Sequence, residues 1–163
     1  MIIEALASPP ASDELEVTVF GRGMGECVMC HLGEARWLMI DCFRDAHGRP
    51  VAEAYLERFG GDHRIVAAVA THWDDDHTHG LSEVVRHHRP DEMWMPIVLN
   101  TRELFRFAVE HDEAMHGRGP SGLRNFVDVL KITKGGRVRR WGIAGLNITT
   151  GTDAAALAGT RDC

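Results

Sequence analysis

The residues Thr71-His72-Trp73-Asp74-Asp75-Asp76-His77-Thr78-His79-Gly80 crowd three imidazoles and three adjacent carboxylates into one short stretch. Carboxylates packed this closely at the end of a buried strand repel one another, and their desolvation costs several kcal/mol unless a partner offsets it. A bound cation is such a partner. In extended backbone His72 and Asp74 project to the same side, and as the chain turns toward a helix beginning near Gly80, Asp76 and His77 come to face a second position close by. Imidazole nitrogen and carboxylate oxygen suit zinc, and also manganese or iron. Two such cations about 3.5–4 Å apart can activate one water between them. A plainer alternative is a solvated acidic loop leading into a helix whose first turn favours Asp. Histidines on both sides at ligand spacing favour the metal. Trp73 and His79 are candidates for lining a pocket. Packing beneath the loop serves Trp73 equally well, and His79 also fits an exposed first-turn position.

A continuous apolar run rich in β-branched residues, Ile65 to Ala70, leads into this cluster and reads as a buried central strand. Upstream, alternation from Glu14 to Phe20 predicts a half-buried strand, and Cys27 to Leu32 and Trp37 to Ile40 predict two more. Between the first two lies the glycine-rich Gly21-Arg22-Gly23-Met24-Gly25. Val51 to Phe59 has helical spacing and stops at Gly60-Gly61. Leu81 to His88 predicts a helix ended by Pro90, followed by a short strand at Met93 to Met95. Further on, a helix from Asn100, a helix over Leu123 to Ile132, and strands at Arg137 to Trp141 and Leu146 to Thr150 are expected. Residues 1–13 read as a flexible leader and 14–163 as one domain. Strands first, then mixed strands and helices, indicate a layered α/β architecture.

The chain has 163 residues, 44% hydrophobic and 26% charged, which fits a single globular domain with a core of its own. Its net charge of −6 gives no overall attraction for nucleic acid, although one or two bound cations would offset that charge locally. No apolar run approaches the roughly 18–20 residues of a membrane span. With no signal-peptide pattern at the N-terminus, a reduced, cytoplasmic setting is expected. Cys27 and Cys30 are spaced like half a zinc knuckle, but i and i+3 in a strand point to opposite faces, so ordinary core or edge cysteines are expected. Arg86, His87, His88 and Arg89 suit a helix C-terminus. Ser82 and Ser121 lack a nucleophile-elbow context.

His72-x-Asp74-x-Asp76-His77 resembles the His-x-His-x-Asp-His signature of the metallo-β-lactamase superfamily with Asp at the second His. That form is similar to the hydrolase domain of competence (DNA-uptake channel) proteins and their soluble relatives. Val17 to Glu26 resembles their strand and Gly-x-Gly-Gln-Gly-Asp loop, with Met24 and Glu26 as departures. Leu38-Met39-Ile40-Asp41-Cys42 resembles their Leu-Ile-Asp-x-Gly strand end. The likeness runs from about Glu16 to Pro96. It implies an αββα sandwich, with His72 and Asp74 binding a first metal, Asp76 and His77 a second, and Asp41 holding a ligand histidine by its other ring nitrogen. It further implies one or two zinc ions; Asp74, a harder and anionic ligand than histidine, should raise tolerance for manganese or magnesium.

The superfamily's remaining ligands come from its second half. After Pro96 this chain offers His111, Asp112, His116, Asp128 and Asp153, of which His111 and His116 read as surface residues. Thr150-Gly151-Thr152-Asp153 weakly resembles a Ser-Pro-Ser-Asp segment of some relatives. The expectation is the N-terminal part of the sandwich, with an apolar sheet face open to self-association. The leading functional reading is a metal-dependent hydrolase using a metal-activated water on a phosphodiester or related ester, small or nucleic acid, with Asp76 orienting the water. An amide or lactone hydrolase on the same site and a non-catalytic metal-binding remnant are the alternatives.

Overall fold

A computed structural model describes residues 8–21, 25–72, 74–96, 122–133 and 137–141. They build one six-stranded mixed sheet in chain order: β1 (Glu16–Phe20), β2 (Cys27–His31), β3 (Arg36–Ile40), β4 (Arg64–Val69), β5 (Glu92–Pro96) and β6 (Arg137–Trp141). The first three strands are antiparallel hairpin neighbours. From β3 onward every pairing is parallel, so the connections must carry helices. They are α1 (Val51–Leu56) before β4, α2 (Asp75–Thr78) and α3 (Leu81–His88) before β5, and α4 (Gly122–Ile132) before β6.

Period-2 patterning assigns the faces. Cys27, Met29, Trp37, Met39, Ile65, Ala68, Met93 and Met95 point one way, and form one core with Ala52 and Tyr55 of α1, Leu81, Val84 and Val85 of α3, and Phe126 and Val129 of α4. The opposite face carries two registered rows: Val17, Cys30, Leu38 and Ala67, then Val19, Val28, Ile40, Val69 and Trp94. These are half-buried or exposed, Val17 and Val19 most of all. A second sheet of an αββα sandwich is not among the described residues.

A bulge at Val66 keeps both Ile65 and Ala68 on the core face, because β4 advances two residues where β3 advances one, from Trp37 to Leu38. The expected strands and helices are present with ends moved by a residue or two. The first helix departs more: it closes at Leu56, and Arg58 and Phe59 donate to the carbonyls three residues back, tightening the chain ahead of Gly60 and Gly61, both at positive φ. The expected helix from Asn100 and strand at Leu146 to Thr150 lie outside the described residues. No helix among the described residues is long and apolar enough to cross a membrane.

Candidate metal centre

The site forms where β3 and β4 end side by side. Beyond the last β3 residue, Asp41 donates its N–H to the Val69 carbonyl at 2.8 Å, then turns into the left-handed region at φ 56°. Asp is one of the few side chains that tolerates this conformation, and the turn aims its buried carboxylate along the strand ends. That carboxylate accepts three donors: the Thr71 N–H at 2.7 Å, the Thr71 hydroxyl, and His77 Nδ1 at 2.9 Å.

α2 is a single turn placed by backbone bonds. Cys42 N–H donates to the His77 carbonyl at 2.8 Å, and Glu26 N–H to the Asp76 carbonyl at 3.2 Å. Asp74 occupies the N-cap position, yet its side chain makes no capping hydrogen bond. An Asp there ordinarily turns back to its own helix. This one instead lies with Oδ2 3.7 Å from His72 Nε2.

Proton accounting gives the electrostatics. A carboxylate only accepts, so His77 must donate from Nδ1 to Asp41, which leaves a lone pair on Nε2 when the ring is neutral. That Nε2 faces Asp76 Oδ2 at 3.5 Å. The one hydroxyl proton of Thr71 goes to Asp41, so the hydroxyl must accept from His72 Nδ1, 2.8 Å away, and His72 Nε2 likewise carries a lone pair toward Asp74. Acceptor faces acceptor twice, which is unfavourable unless a positive charge lies between. A divalent cation in either gap answers it, and imidazole nitrogen with carboxylate oxygen is a fitting donor pair. Donor atoms of His72, Asp74 and Asp76 lie within 4.8 Å of one another, as do those of Asp41, His72 and His77.

The model of the metallo-beta-lactamase superfamily matches residues 21–145. The chain belongs to that superfamily. No curated protein matches the sequence. Superfamily membership implies a metal-dependent hydrolase in general terms, and these His/Asp groups could hold the divalent metal its members typically bind.

Of the residues singled out from the sequence, the metallo-β-lactamase fold brings together His72, Asp74, Asp76, His77 and Asp41. His79 is half-buried at the end of α2 and joins neither donor group. Trp73, His111, Asp112, His116 and Asp153 lie outside the described residues, while Asp128 pairs with Lys131 at 3.2 Å on α4. Cys27 and Cys30 sit on opposite faces of β2 and join no donor group among the described residues. Hydrogen bonding with Cys42 and burial raise the Cys27 thiol well above its usual range.

The middle carboxylate of the triplet does separate work. Asp75 Oδ1 accepts the N–H of Gly122, the first residue of α4, tying that helix to the site loop. Thr71 was also silent in sequence, where it reads as one more β-branched residue at a strand end. A third donor group, Glu53 with His87 and His88, satisfies itself: His88 Nδ1 accepts the Ile65 N–H at 3.3 Å, so its Nε2–H donates to Glu53.

Proposed function

We propose that this protein is a metal-dependent hydrolase of the Asp-containing, competence-type branch, acting on a phosphodiester or related ester with one or two zinc or manganese ions. The observation that carries the reading is the pair of imidazole lone pairs facing the carboxylates of Asp74 and Asp76 across 3.7 and 3.5 Å. His72, Asp74, Asp76 and His77 hold the metal, and Asp41 fixes His77 through Nδ1. When bound, the cation supplies Lewis acidity, bringing the pKa of water toward neutrality and stabilising the anion that develops on the substrate. Asp76 orients the attacking water. The side chains become more exposed from His77 (15%) through His72 (39%) and Asp76 (45%) to Asp74 (66%), so substrate approaches over the two aspartates. The phosphodiester preference is supported by the likeness of His72-x-Asp74-x-Asp76-His77 to the competence-type signature.

Elemental analysis of the purified protein beside a His72→Ala/Asp76→Ala variant tests the metal. Turnover of bis(p-nitrophenyl) phosphate, a β-lactam and a lactone, each with zinc and with manganese, tests the substrate class. The expected result is metal in the wild type alone and phosphodiester turnover that the variant lacks. Metal content well below one per chain, or turnover confined to the lactam or lactone, overturns the corresponding part.

A further inference from the structure

We infer that Thr71 is a positioning residue that fixes the tautomer of His72, so that Asp41 orients both imidazoles: His77 directly and His72 through the Thr71 hydroxyl. The inference rests on the metal-centre reading above and assigns a role to a side chain that no ligand pattern includes. Asp41 Oδ2 receives both the Thr71 hydroxyl proton and His77 Nδ1–H, the latter at 2.9 Å. With its single proton committed, the Thr71 oxygen has only lone pairs to offer His72 Nδ1 at 2.8 Å. His72 therefore carries its proton on Nδ1 and leaves Nε2 bare on the side of Asp74. Were the proton on Nε2, that nitrogen would donate to the Asp74 carboxylate, and the pair would be satisfied without any cation. The hydroxyl thus selects the form of His72 that needs a metal. The Thr71 N–H also bonds Asp41, at 2.7 Å, so replacing the side chain leaves one tether in place.

Nitrogen-detected NMR of the metal-free protein at pH 8 reads the tautomer of His72 without reference to activity. Wild type and Thr71→Ser are expected to carry the proton on Nδ1, and Thr71→Val, which keeps the shape and loses the hydroxyl, to shift it toward Nε2. Zinc affinity, measured by competition with a chromogenic chelator, should fall about 10–100-fold in Thr71→Val and stay near wild type in Thr71→Ser. Should Thr71→Val fold poorly, the wild-type spectrum still decides: a proton on Nε2 of His72 overturns the inference. So does a Thr71→Val protein with the wild-type tautomer and affinity. A wild type that binds zinc yet turns over no ester leaves Thr71 in its role and removes only the hydrolase. A wild type that binds no zinc removes the metal reading, and the tautomer alone then decides for or against Thr71.

Discussion

His72 and His77 stand with ring centroids 3.7 Å apart and planes inclined by 46°. Both rings donate inward through Nδ1 and face carboxylates through Nε2. A cation between each ring and its carboxylate relieves two acceptor–acceptor contacts. Zinc at about 100 times its Kd should therefore stabilise the fold by about 2.7 kcal/mol relative to the protein in chelator. Calorimetric melting with and without metal measures this. The same comparison on His72→Ala should show no difference, and superimposable melts of the wild type would argue that no cation sits there.

Adjacent aspartates 75 and 76 should separate cleanly under mutation. Asp75 caps α4 at Gly122, whereas Asp76 looks at His77 across 3.5 Å. Asp75→Ala is expected to cost about 0.5–2 kcal/mol, the usual range for a lost helix cap, with metal content unchanged. Asp76→Ala is expected to do the reverse. Urea unfolding gives the first quantity and elemental analysis the second. A Asp75→Ala protein that loses its metal would move Asp75 into the ligand set.

Why one aspartate was legible and its neighbour was not is a matter of range. The ligand roles proposed for His72, Asp74, Asp76 and His77 rest on local spacing at a strand end, and the strands on patterns complete within a few residues, such as Ile65 to Ala70. The task of Asp75 depends on Gly122, far along the chain, and no local pattern encodes that meeting. α2 has four residues, too few to show a helical period, and Asp76 and His77 within it read as ligands before they read as a turn. The Thr71 hydroxyl was hidden differently: β-branching explains the residue well enough in a strand, and only the positions of Asp41 and His72 on either side reveal a second use.

Gly25 lies at φ +114°, and a Cβ there would fall 2.8 Å from Phe43 Cβ and 3.2 Å from the Asp76 carbonyl oxygen. Neither the backbone angle nor the space admits a side chain. Gly25→Ala should push the start of β2 away from α2, weaken the Glu26 N–H bond to Asp76, and cost about 1–3 kcal/mol. Urea unfolding checks the cost, and a zinc titration should show weakened affinity as α2 shifts. A stability loss under about 0.5 kcal/mol, the range of an ordinary surface change, would mean that the loop relaxes freely.

Glu53 joins α1 to the end of α3. Its Oε1 lies 2.9 Å from His87 Nδ1 and its Oε2 3.4 Å from His88 Nε2, with only 14% of the side chain exposed. Burial pushes the carboxyl upward, but hydrogen bonds from His88 and His87 outweigh it and hold the group below its ordinary value of 4.5. A carboxyl with a lowered folded-state pKa stabilises the fold above its unfolded value and loses that contribution as pH falls through the folded one. Glu53→Gln should thus cost about 1.5–3 kcal/mol at neutral pH, the range for hydrogen bonds to a charged group. The difference from wild type should shrink as pH falls below the ordinary carboxyl value of 4.5 and on through the lowered folded-state value, where the wild-type carboxyl takes up its proton. Urea unfolding of both proteins across that range provides the comparison. A difference that persists unchanged at pH 3 would show that the carboxylate charge is not what Glu53 contributes.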